Sequence, residues 1–108
     1  MRFSFYNGQS KEVQDEAAAL LKPQSIMVFD TKTTYAGWRY VPVKYVFGEN
    51  DHASPRNWID AFINPARGFF DLEVFKCDGD HSLFLDRPEW LAEVVRKAAG
   101  EALELKED

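Results

Sequence analysis

Cysteine is almost absent from this chain. Cys77 stands alone, so no internal disulfide can form, and a cysteine-based structural zinc site lacks its ligands. The six glycines, Gly8, Gly37, Gly48, Gly68, Gly79 and Gly100, are scattered, which excludes a glycine-rich phosphate loop. No apolar run approaches the roughly 20 residues needed to cross a bilayer, and the opening Met-Arg-Phe-Ser-Phe-Tyr has no signal-peptide core. A cytoplasmic protein without membrane association is therefore expected. Positive charge is also in short supply. The net charge is −5, with 13 Lys and Arg against 18 Asp and Glu, and affinity for phosphate backbones depends on accumulated cations, so nucleic acid is not an expected partner. With only two histidines, His52 and His81, the chain has no helical His-Glu-x-x-His pair, and no twelve-position calcium loop is present.

What is present suits one globular domain spanning residues 1–108. Hydrophobic residues make up 45% and aromatics 15%, enough for a core without covalent staples. The charge is unevenly spread. Residues 1–50 carry six cations and five carboxylates, whereas residues 51–108 carry seven cations and thirteen carboxylates, so the whole excess lies in the second half. Such an asymmetry points to a basic partner or a cation.

The periodicities predict the order β-α-β-β-α-β-β-α. Phe3 and Phe5 alternate with Ser4 in a strand from Arg2 to Tyr6. Ser10 caps a helix over Lys11–Lys22, with early acids Glu12, Asp15 and Glu16, and Pro23 stops it. Ser25–Phe29 is a continuous apolar strand, and Trp38–Phe47 a second one in an antiparallel hairpin, with Pro42 marking an edge or a bulge. Ser54-Pro55 opens a short helix that ends before Pro65. Phe69–Lys76 and His81–Asp86 pair as a hairpin through Asp78-Gly79. Asp86-Arg87-Pro88-Glu89 has capping-box spacing and opens the last helix, whose stripe is Leu91, Val94, Val95, Ala98, Ala102 and Leu105. The expected class is α+β, an antiparallel or mixed sheet of about five strands, with two longer helices on one face and a short third helix.

Chemistry-bearing residues fall in four groups. Glu49-Asn50-Asp51-His52 and Asp78-Gly79-Asp80-His81 are acidic clusters at loops, and if they met, Asp51, His52, Asp80 and His81 would offer carboxylate and imidazole ligands to a metal. Asp71 and Glu73 share a strand face as an acidic surface. Tyr35, Trp38, Arg39 and Tyr40 begin an aromatic, basic stretch rich in the residues that dominate protein interfaces. Cys77 sits beside Asp78 and Asp80, carboxylates that disfavour a thiolate, and Ser10, Ser25 and Ser54 read as caps or turn residues outside any nucleophile elbow.

With no catalytic motif, the expected function is that of a small acidic protein acting by stoichiometric binding, as an inhibitor, immunity protein, anti-defence factor or adaptor. Its surface would use Tyr35, Trp38, Arg39, Tyr40, Asp71, Glu73, Asp78 and Asp80 against a basic protein, with no cofactor and no turnover. Two alternatives stand beside it. One is a small metal- or ligand-binding enzyme centred on His52 and His81. The other is a structural subunit, since an open strand edge can template a second strand or a homo-oligomer.

Overall fold

A computed structural model describes residues 2–102. Its centre is a β-α-β unit. Strand β1 (Val43–Gly48) leads through helix α4 (Arg56–Ala66) to strand β2 (Leu72–Cys77). The two strands run parallel, with Val43 opposite Leu72, Tyr45 opposite Val74 and Gly48 opposite Cys77. Before β1 come the short helix α1 (Arg2–Phe5), α2 (Lys11–Leu20), α3 (Met27–Asp30) and a 3₁₀ turn over Gly37–Tyr40. After β2 come α5 (Leu83–Asp86) and α6 (Pro88–Ala98).

Both faces of the sheet are covered, most fully at its carboxyl end, where Phe47, Gly48 and Cys77 are buried, while Lys44 and Lys76 stay exposed. Phe47 packs with Ile59 and Ile63 of α4, joined by Tyr45, Leu72 and Val74. On the opposite face Cys77 packs with Leu83, Trp90 and Val94, joined by Val46, Phe75 and Leu91. Odd positions of β1 and even positions of β2 thus face α4, and the complementary set faces α5 and α6. The result is a small three-layer α/β/α sandwich. The connection through α4 is what makes the pairing parallel, because parallel neighbours need a crossover and cannot be joined by a tight turn.

This architecture corrects the expected sheet. The described residues form two parallel strands, in place of about five antiparallel or mixed ones. Arg2–Phe5 and Met27–Asp30 are helical, and Trp38 and Tyr40 lie in the 3₁₀ turn, so the strand begins only beyond Pro42. His81–Asp86 is no strand: the chain leaves β2 at Cys77, turns, and enters α5, so there is no hairpin. The two longer helices do not share a face of the sheet. Helix α6 lies on the sheet, whereas α2 buries none of its residues and packs beside α1.

Other expectations hold or shift slightly. Ser10 caps α2, its Oγ accepting from Val13 N–H at 3.4 Å. Helix α4 begins after Pro55 and runs through Pro65 to Ala66, two residues beyond the predicted stop. Pro88 occupies the first turn of α6, but Asp86 does not cap it; Arg87 holds that position, and the Asp86 side chain turns elsewhere.

Candidate active site

The ladder between the strands continues past their carboxyl ends. Glu49 N–H donates to Cys77 O at 2.8 Å, and Asn50 N–H donates to Gly79 O at 3.0 Å. Two loops, 49–54 and 78–82, are thereby held side by side. Their approach is so close that a Cβ on Gly48 would stand 2.2 Å from Gly79 O and 2.5 Å from Asp80 O. Gly79 is closely packed as well, though against side chains, its missing Cβ falling 2.4 Å from a Leu83 methyl.

This juxtaposition brings together Asp51, just beyond β1, and His81, just beyond β2. His81 Nδ1 lies 2.9 Å from Asp51 Oδ2. A carboxylate only accepts, so the imidazole donates through Nδ1–H and the neutral ring carries its lone pair on Nε2. Asp51 is itself fixed, since Oδ1 accepts from Ala53 N–H at 2.7 Å and Ser54 N–H at 2.9 Å. Its side chain is 8% exposed, whereas that of His81 is 34% exposed. The carboxylate is buried and saturated, and the ring it orients is open to solvent. Phe5 closes one side of the ring edge-on, with centroids 4.9 Å apart.

The remaining site candidates lie apart from this pair. His52 is exposed on the loop. Asp80, the neighbour of His81, faces inward and accepts backbone N–H groups. Among the described residues no three or more His, Cys, Asp or Glu side chains stand where they could share a metal ion. Asp78 is held by Arg87, whose Nε donates to Asp78 Oδ1 at 2.9 Å, and that bond pushes the guanidinium's proton affinity above its ordinary value. Glu73 pairs with Lys44 directly opposite on β1, and the ammonium lowers the Glu73 carboxyl below its usual range. Asp71 is exposed, and its carbonyl accepts from Val43 N–H. Tyr35 stacks on Tyr40. Trp38 borders a groove of about 410 Å³ with Val43, Tyr45, Phe62 and Leu72, and Arg39 lies beside Phe62 and Phe69.

Cys77 is buried at the end of β2, and burial pushes its thiol above the ordinary value, so it holds its proton and is a poor nucleophile. Ser82 Oγ donates to Phe5 O at 2.6 Å and is likewise enclosed. The sequence grouped Asp51 and His81 only as metal ligands should the two clusters meet, and the specific pairing was hidden because the second cluster was assigned to a hairpin tip. Its signal was positional: each His-containing cluster follows a β-rich run, and a helix separates the runs. Ligand sites of parallel α/β sheets form beyond such strand ends.

The chain is 31% identical over 105 residues to a protein of Aspergillus novofumigatus described as alpha/beta hydrolase nvfD. The match covers 97% of this chain and 41% of that protein, so the chain spans about two fifths of its relative's length. No family model and no solved structure matches. The likeness to a hydrolase corrects the expectation of a stoichiometric binding protein. It also gives the buried carboxylate and oriented imidazole a chemical context that a binding surface does not require.

Proposed function

We propose that this chain carries the acid–base half of a hydrolase site, with His81 as general base and acid and Asp51 as the carboxylate that orients it. The observation that carries the reading is the 2.9 Å contact between Asp51 Oδ2 and His81 Nδ1 beyond the ends of two parallel strands. The order of the pair along the chain agrees with it, because in alpha/beta hydrolases the acid precedes the histidine and the nucleophile precedes both.

The chemistry follows from the tautomer. With Nδ1–H held by Asp51, Nε2 takes the proton of an attacking hydroxyl as the hydroxyl oxygen bonds to a carbonyl carbon. Asp51 stabilises the imidazolium that forms. Nε2–H then delivers that proton to the leaving group as the acyl bond breaks, and the same nitrogen next activates water to release the acyl product. These 108 residues contain no Gly-x-Ser-x-Gly, and Cys77 and Ser82 are enclosed, so the nucleophile comes from outside them. The substrate class is a carboxylic ester or a related acyl compound.

The test is hydrolysis of a short-chain p-nitrophenyl ester by the natural full-length protein. His81→Ala is expected to lower kcat by about 10³-fold or more, and Asp51→Asn by about 10⁴-fold, the effect of a wrong tautomer in a Ser-His-Asp triad. Full activity in His81→Ala, with the fold intact by circular dichroism, would sink the reading.

A further inference from the structure

Asp80 is the most buried charged residue of the described chain, 1% exposed, and among the described residues it makes no ion pair. Burying a carboxylate without a counter-charge is costly unless its oxygens are hydrogen-bonded. Its partners are backbone N–H groups. Oδ1 accepts from Ser82 N–H at 2.7 Å, and Oδ2 accepts from Gly8 N–H at 2.9 Å. The first bond bridges over His81 and restrains its backbone. The second ties that backbone to a turn 72 residues earlier.

The same turn grips the site elsewhere. Ser82 Oγ donates to Phe5 O, Asn7 Nδ2–H donates to Asn50 O at 2.8 Å, and Gln9 Nε2–H approaches Asp86 Oδ1 at 3.4 Å. Asp86 in turn receives Asp80 N–H on Oδ2 at 2.9 Å. The backbone is therefore restrained immediately before and immediately after His81, and segment 5–9 touches both loops of the pair.

We propose that Asp80 is a positioning residue for His81: anchored to the Gly8 turn, it fixes the histidine backbone so that Nδ1 meets Asp51. This rests on the reading of His81 as the base, though its geometric content can be measured without catalysis. A loose backbone would let the ring leave Asp51, and Nδ1–H would no longer be the preferred tautomer. Displacements of that size cost about 10²-fold in rate.

The experiment is nitrogen-15 NMR of the histidine-labelled chain, with the His81 signals assigned by their loss in His81→Gln. In the wild type His81 is expected to show one Nδ1–H tautomer with a slowly exchanging ring proton. Asp80→Asn keeps size but sets an amide against one of the two N–H donors, and should lose that proton signal and mix the tautomers. Gly8→Ala reaches the same point from the other side, since its Cβ would lie 3.1 Å from Asp80 Oδ2; it should shift the signals in the same direction and covers the case that Asp80→Asn fails to fold. Asp60→Asn, on the outer ion pair with Arg56, serves as control and should change nothing. In the full-length protein the two test variants should lower kcat by about 10²-fold with KM within about twofold. Retention of the wild-type ring signals and kcat in every variant that folds, Gly8→Ala included, would overturn the proposal. Shifted ring signals together with undiminished hydrolysis by His81→Ala would instead overturn the base assignment and leave the positioning intact.

Discussion

Two buried carboxylates lie on the paired loops and do different work because their donors differ. Asp51 spends one oxygen on its own loop and the other on an imidazole, whereas Asp80 spends both on backbone. The first sets a tautomer, the second a backbone path. Cys77, three residues before Asp80, shows the opposite response to burial, remaining neutral because nothing nearby compensates a thiolate well enough. The consequence for stability has a definite sign. The folded thiol ionises above the ordinary value of about 8.5, so between that value and the folded one the native state binds more protons than the unfolded state, and stability falls as pH rises. Below that window the thiol contributes no slope. Urea midpoints of wild type and Cys77→Ala, compared at pH 7.5 and pH 10, should show the larger alkaline loss in the wild type. Every other group is common to the two proteins and cancels. Equal losses would mean that burial does not disfavour the thiolate.

At the scale of elements, the site depends on how closely two loops approach. Gly48→Ala would place a methyl group against the Gly79 and Asp80 carbonyls, backbone atoms with no rotamer to yield. It is expected to cost about 1–3 kcal/mol in urea unfolding, as overpacking does. Gly37→Ala, whose nearest neighbour would be the Tyr35 ring at 3.4 Å, should stay within about 0.5 kcal/mol. Similar losses at both positions would mean that the loop approach carries no stability. The elements most legible in the sequence were those with local signals: Ser10 before α2, the spacing of Ile59 and Ile63 in α4, and Pro88 in the first turn of α6. Pairing was less legible. Asp78-Gly79 is a good hairpin turn taken alone, yet here Gly79 leads into α5, where a Cβ would press on a Leu83 methyl. Ile26–Phe29 has strand composition but forms an exposed helical turn, with no neighbour to reward an extended conformation. The residues of the pair were visible as candidates; their partnership depended on parallel topology, which is long-range information.

Over the whole molecule, several acids of the second half pair within the chain. Asp60 meets Arg56, Glu73 meets Lys44, Asp78 and Asp86 meet Arg87, and Glu101 meets Arg96. Each of these pairs uses a cation as well as an acid, so the net charge of −5 stands. Apolar surface behaves differently: Phe69 is 86% exposed, and Tyr40, Phe62 and Phe29 are each more than 70% exposed. None of the helices described is long and apolar enough to cross a membrane. The proposed site has an oriented imidazole and a carboxylate, but the chain's hydroxyls and thiol are either enclosed or outside a strained strand-to-helix elbow. A base can activate only a nucleophile within hydrogen-bond reach of Nε2. A fluorophosphonate probe, which reacts with activated hydroxyls, should therefore leave these 108 residues unlabelled when they are tested alone. In the full-length protein it should label one serine outside them, and His81→Ala should abolish that labelling. An adduct mapped by mass spectrometry to Ser10, Ser54 or Ser82 would place the nucleophile inside the chain, and the division of the site into two halves would fall.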